Sequence, residues 1–115
     1  MNETSNLINQ TDTQMRKGML MYCVLLLCRG KKVYSSDIIK HLRVAELIVV
    51  EGTLYPLLSR LLKDNILAYE WQESGQGPPR KYYWLTPIGE HITEQLQQKY
   101  HQLHKVVTTL EKDKS

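Results

Sequence analysis

Few residues in this chain could do catalytic or metal chemistry, and their spacing argues against it. The 115 residues include four histidines, His41, His91, His101 and His104. His101 and His104 stand three apart, where one helix face would present both as a weak chelating pair. No cysteine or carboxylate cluster accompanies them, and nothing matches the HExxH pattern. Cys23 and Cys28 fit neither a zinc pair nor a redox pair and read as small buried apolar side chains. Ser35, Ser36, Ser59 and Ser74 lack the glycine-flanked turn that activates a nucleophilic serine. Gly75-Gln76-Gly77 is too short and wrongly placed for a phosphate loop and reads as a hairpin turn. We therefore expect no enzyme, no metal and no cofactor.

The chemistry left is phosphate neutralisation by cations. The net charge of +3 permits a nucleic-acid partner without requiring one, and the positions of the charges say more than their sum. Arg60 and Lys63 fall on the outer face of one helical segment. Arg80 and Lys81 close a turn-rich tip, and Lys31 and Lys32 precede a segment that carries Lys40. Taken singly, each is a solvated surface charge. Grouped on neighbouring elements, they form a surface for a polyanion, with strongly salt-dependent affinity. Thr53, Tyr55, Pro56 and Ser59 share that outer face, and Thr53, Tyr55 and Ser59 can reach base edges or thymine methyls.

The elements that must position these residues follow from periodicity. Met1 to about Thr11 is polar and aperiodic and reads as a mobile tail. A helix follows to about Arg29, capped by Thr11 with Gln14 or by Asp12, and Gly30 stops it. Its apolar residues, Met19 to Leu27, nearly encircle it, so it needs more than one packing partner. Ser35 or Ser36 can cap a second helix with Ile38, Ile39 and Leu42 inward. Leu47-Ile48-Val49-Val50 reads as a short strand. A third helix spans about Glu51 to Asp64, with Leu54, Leu57, Leu58, Leu61 and Leu62 inward. Pro56 belongs in its first turn, where the missing N–H costs nothing. Two alternating strands, Ile66 to Gln72 and Lys81 to Leu85, then form a hairpin with a basic tip. Thr86-Pro87 caps and opens a last helix towards Glu111. Its residues Leu96, Tyr100, Leu103, Val107 and Leu110 repeat as a short heptad seam, suited with Met19 to a second copy. In that seam Tyr100 reads equally as packing or as a stacking surface, with Met15 and Met19 near it. The pattern is α+β and mostly helical, a winged helix-turn-helix. It divides into a tail (1–11), a winged domain (12–85) and a C-terminal dimerisation helix (86–115). The longest apolar run, Met19 to Cys28, is about half a membrane span. With no basic start or signal peptide, a cytoplasmic protein is expected.

Two blocks carry a family resemblance: Glu51-Gly52-Thr53-Leu54-Tyr55-Pro56-Leu57-Leu58-Ser59-Arg60-Leu61, and Gly77-Pro78-Pro79-Arg80-Lys81-Tyr82-Tyr83 with Leu85-Thr86 and Gly89. They resemble the PadR family of transcriptional regulators, in its short form with a single C-terminal helix. The resemblance implies a homodimeric repressor on a pseudo-palindromic double-stranded operator. It also implies an aromatic small-molecule effector between the subunits of some members, with Tyr100 at the matching position. The chain departs from the family at Val50, at Tyr34-Ser35-Ser36 and at Trp84, which stands where a polar or basic residue is common. The rival reading is a winged helix that binds protein instead of DNA, whose third helix would be apolar or acidic outside.

Overall fold

The computed structural model describes residues 2–47 and 51–113. The elements run α1 (Glu3–Leu27), β1 (Val33–Tyr34), α2 (Ser35–Val44), α3 (Glu51–Lys63), β2 (Leu67–Gln72), β3 (Arg80–Leu85) and α4 (Pro87–Lys112). This is the winged helix-turn-helix with a C-terminal helix. One core joins Leu20, Val24, Leu25 and Cys28 of the α1 end to the inner residues of α2 and α3 and to Val33, Leu67, Tyr83 and Leu85 of the sheet.

The first helix begins nine residues before Asp12, so residues 3–11 are helical where a mobile tail was expected. Asn2 is the N-cap, its side chain accepting from the Ser5 N–H at 2.9 Å. Thr11 and Thr13 lie inside the helix and donate their hydroxyls to the carbonyls of Leu7 and Asn9, each at 2.9 Å. The Arg16–Asp12 pair adds an i,i+4 contact at 3.0 Å. The Asn2 cap and the Arg16–Asp12 pair support these turns locally, and the two threonine hydroxyls satisfy themselves on the helix's own carbonyls. Towards the other end the apolar belt divides as its encircling pattern requires: Leu20, Val24 and Leu25 are buried, and Met21, Cys23 and Leu27 are half-buried against the core.

In α2, Ile38, Ile39 and Leu42 face the core, but neither serine caps it. Tyr34 is the N-cap and makes no side-chain bond, which leaves Ser35 and Ser36 in the first turn. Both α2 and α3 end in a left-handed residue, Glu46 (φ 65°) and Asn65 (φ 60°). In each, the next N–H reaches back to the carbonyl five residues earlier, Leu47 to Leu42 and Ile66 to Leu61, both at 2.9 Å. This is a Schellman closure, for which asparagine is a common second choice and glutamate a strained one.

Three strands form an antiparallel sheet in the order β1-β3-β2. The hairpin pairs Leu67 with Leu85, Tyr69 with Tyr83 and Trp71 with Lys81, so these share one face, as the alternation requires. The strand beside the hairpin is Val33–Tyr34, paired with Tyr83 and Tyr82. The expected strand Leu47 to Val50 lies, apart from Leu47, outside the described residues, as does the departure at Val50.

The joint between α3, the sheet and α4 is tight. Thr86 caps α4, accepting from the Gly89 N–H at 3.0 Å while its hydroxyl donates to the Asn65 carbonyl at 2.7 Å. Its own N–H donates to the Ile66 carbonyl at 3.1 Å. A Cβ on Gly89 would lie 2.1 Å from that same Ile66 oxygen. Backbone on both sides leaves no flexible group to yield. Gly89→Ala should therefore cost about 3 kcal/mol, or roughly 10 °C in the thermal midpoint. Gly18→Ala, where no atom lies within 4 Å of the added Cβ, should gain up to about 1 kcal/mol. Denaturant titration of both variants checks the pair of signs.

Candidate nucleic-acid interface

The candidate recognition surface is built on α3 by its leucine spacing. Leu54, Leu57, Leu58 and Leu61 are buried, which turns Thr53, Tyr55, Pro56, Ser59, Arg60 and Lys63 outward, all exposed. Pro56 stands in the second turn of the helix, one turn further in than expected. Its missing N–H leaves the Gly52 carbonyl without the usual i+4 donor.

Two open grooves flank this face. One, about 450 Å³, runs between α1 and α3 and is lined by Lys17, Leu20, Met21, Thr53, Pro56, Leu57 and Arg60. The other, about 380 Å³, lies between α2 and α3, where Lys40 and Arg43 meet Ser36 and Tyr55. Lys17 and Arg43 thus join the candidate contacts. Sequence periodicity did not single them out, because an exposed cation on α1 or α2 reads like any other solvated surface charge. Only the packing of three helices places them beside α3.

The hairpin cations are not free-standing. Lys81 lies over the rings of Tyr69, Tyr83 and Trp71, with centroids 4.4, 5.4 and 5.7 Å away. Tyr69 and Trp71 are exposed, while Tyr83 belongs to the core. Arg80 sits 5.0 Å from the Tyr34 ring. Lys32 pairs with Glu70 and lies 4.9 Å from Trp84, which gives that tryptophan a packing role. Such stacking holds long cationic side chains along the sheet, heads outward, at little entropic freedom.

The seam on α4 is partly reassigned. Leu96 packs half-buried against the chain's own core, because the first turns of α4 lie on the winged domain. Beyond Tyr100 the helix leaves the domain, and Leu103, Val107 and Leu110 are exposed, at 63%, 51% and 66%. Tyr100 meets Tyr22 of α1 with ring centroids 5.9 Å apart and is flanked by His101 and His104. Tyr22 is a ring partner that periodicity missed, since it lay within an apolar run. Met19 and Met15 stand three and seven residues before it on α1, Met19 half-buried and Met15 exposed.

The thiols offer no reactive centre. Cys23 and Cys28 are free. Burial pushes the Cys28 thiol up to about 12, and Cys23 is shifted the same way by the same cause. Both stay protonated at neutral pH, whereas the thiolate is the nucleophile and metal ligand. Among the described residues there is no group of three or more His, Cys, Asp or Glu able to hold a metal ion. No described helix is long and apolar enough to cross a membrane.

A family model described as the transcriptional regulator PadR-like family matches residues 24–97. A comparison with curated proteins finds no match. Among solved structures, a PadR-like transcription factor from Bacteroides fragilis is 53% identical with a TM-score of 0.72, covering 88% of this chain and 98% of its own. A PadR family transcriptional regulator from Eggerthella lenta is 28% identical with a TM-score of 0.84, over 99% and 96% of the two chains. A PadR-like transcriptional regulator from Bacillus cereus is 31% identical with a TM-score of 0.78, over 88% and 99%. With its leucine-backed outer helix face, its basic hairpin and these matches over most of its length, the chain belongs to the PadR-like family of transcriptional regulators.

Proposed function

We propose that this chain is a cytoplasmic repressor that binds a pseudo-palindromic duplex operator as a homodimer and is released by a planar aromatic compound. The observation that carries the DNA reading is the outer face of α3: six exposed residues, polar or basic apart from Pro56, between a groove that adds Lys17 and one that adds Lys40 and Arg43. A protein-binding winged helix would present an apolar or acidic face there. In this reading α3 enters the major groove, where Thr53, Tyr55 and Ser59 meet base edges, and the hairpin lies on adjacent backbone.

The dimer reading rests on exposed apolar surface. Leu103, Val107 and Leu110 on α4, with Leu7, Ile8 and Met15 on α1, are large side chains left in water by a single chain. A second copy would cover them. The effector reading rests on Tyr100 and Tyr22. Across a two-fold axis their rings, with Met15 and Met19, would line a slot for a flat, partly cationic ligand. Filling such a slot changes the spacing of the two α3 helices, which must match half-sites about 34 Å apart. Release then follows in proportion to the ligand's preference for the mismatched spacing.

Titration of planar cationic dyes against tryptophan fluorescence and against operator binding tests this. Wild type should bind dye and release DNA, and Tyr100→Ala should bind dye roughly tenfold more weakly, as expected for loss of a stacking partner. Equal dye affinity in both proteins, or dye binding with unchanged operator affinity, makes Tyr100 a packing residue only.

A further inference from the structure

Glu70 is the only carboxylate carried by the three strands. It lies on β2, one edge of the sheet, and Lys32 precedes β1, the other edge. To pair with Glu70, Lys32 must cross the central strand, and its ammonium passes over Trp84 of that strand. The Gln72 side-chain amide donates to the same carboxylate oxygen at 3.0 Å. Both partners stay accessible, with side chains 50% and 38% exposed, so a ligand can compete for either. The Lys32 bond, and then the Gln72 bond, hold the Glu70 carboxyl below the usual carboxylate range, so it is ionised at neutral pH.

A lysine that binds duplex DNA gains mainly by releasing a counterion condensed on the phosphates. Lys32 already carries a counter-anion tethered to its own sheet. A phosphate that takes Lys32 must displace Glu70 or share the ammonium with it, and either way the carboxylate is left beside the polyanion. Arg80 and Lys81 differ, because they rest on neutral rings, and a phosphate draws them away without stranding a charge. We infer that Glu70 is an affinity-limiting residue, an internal competitor that withholds Lys32 from the phosphate backbone. The inference rests on the duplex-binding reading above.

Glu70→Gln keeps the shape and the Gln72 contact while removing the charge. It should tighten duplex binding about fivefold at low salt, the upper end of what an exposed ion pair supplies. It should also steepen the logarithmic salt dependence by roughly 0.9, one phosphate contact. Glu73→Gln makes the same charge change on the hairpin loop and should do less. In a Lys32→Ala background the effect of Glu70→Gln on both readouts should vanish. A gain no larger than that of Glu73→Gln, or one that survives without Lys32, overturns the inference while the duplex-binding reading stands. A wild-type protein that binds no duplex overturns both.

Discussion

Leu103→Asp should give a folded monomer. The side chain is 63% exposed in the single chain, so the charge meets water and the winged domain keeps its helix content. In the proposed dimer the same position is covered, and each copy would bury an unpaired carboxylate, at a cost of about 3–5 kcal/mol. Two copies per interface shift association by several orders of magnitude. Sedimentation at micromolar concentration should show a single species of monomer mass, with circular dichroism unchanged. Operator binding should fall with it, because a monomer engages one half-site and loses the effective concentration that links the second. A variant that still sediments as a dimer removes Leu103 from the interface. A wild-type monomer at that concentration removes the interface altogether.

Arg60→Ala should weaken operator binding by roughly ten- to a hundredfold, the range for a cation at a base edge or buried against the backbone. Lys63→Ala, one turn further along α3, should cost less and act alike on all sequences. Whichever of the two meets phosphate should also lower the salt slope by about one on removal. Ser59→Ala, by contrast, should change which sequence is preferred and leave the slope alone. The grooves sharpen the comparison: Arg60 shares its groove with Lys17, so Lys17→Ala should reproduce part of the Arg60 loss. A double variant of Arg60 and Lys63 that binds as wild type does would move the interface off α3.

What could be read in the sequence was whatever depends on local periodicity. The leucines of α3, the alternation around Tyr69 and Tyr83, and Thr86-Pro87 at the start of α4 each encode an element within a dozen residues. The outer face of α3 followed, because a helix that buries four leucines has little choice about what it exposes. Features set by long-range contact escaped. Val33–Tyr34 is a strand only because Tyr82 and Tyr83 lie beside it, and no two-residue pattern announces that. Leu96 fits the heptad as well as Leu103 does, yet the domain covers the one and not the other. Lys32 and Glu70 are 38 residues apart, and their pairing needs the whole sheet between them. The early start of α1 escaped for the opposite reason. Its support is local, a cap at Asn2 and an Arg16–Asp12 pair, and composition alone gives no sign of either.

The knot at Asn65, Ile66, Thr86 and Gly89 has a mechanical meaning. It ties the closing turn of α3 to the opening turn of α4 through two backbone oxygens, both within hydrogen-bond reach of Thr86 and one abutted by Gly89. A joint made of soft side chains would absorb a small rotation by shuffling rotamers. A joint made of backbone against backbone has no such slack, as close-packed interiors do not deform continuously. Torque applied far out on α4 should therefore reach the end of α3 with little loss at this joint, as through a keyed shaft.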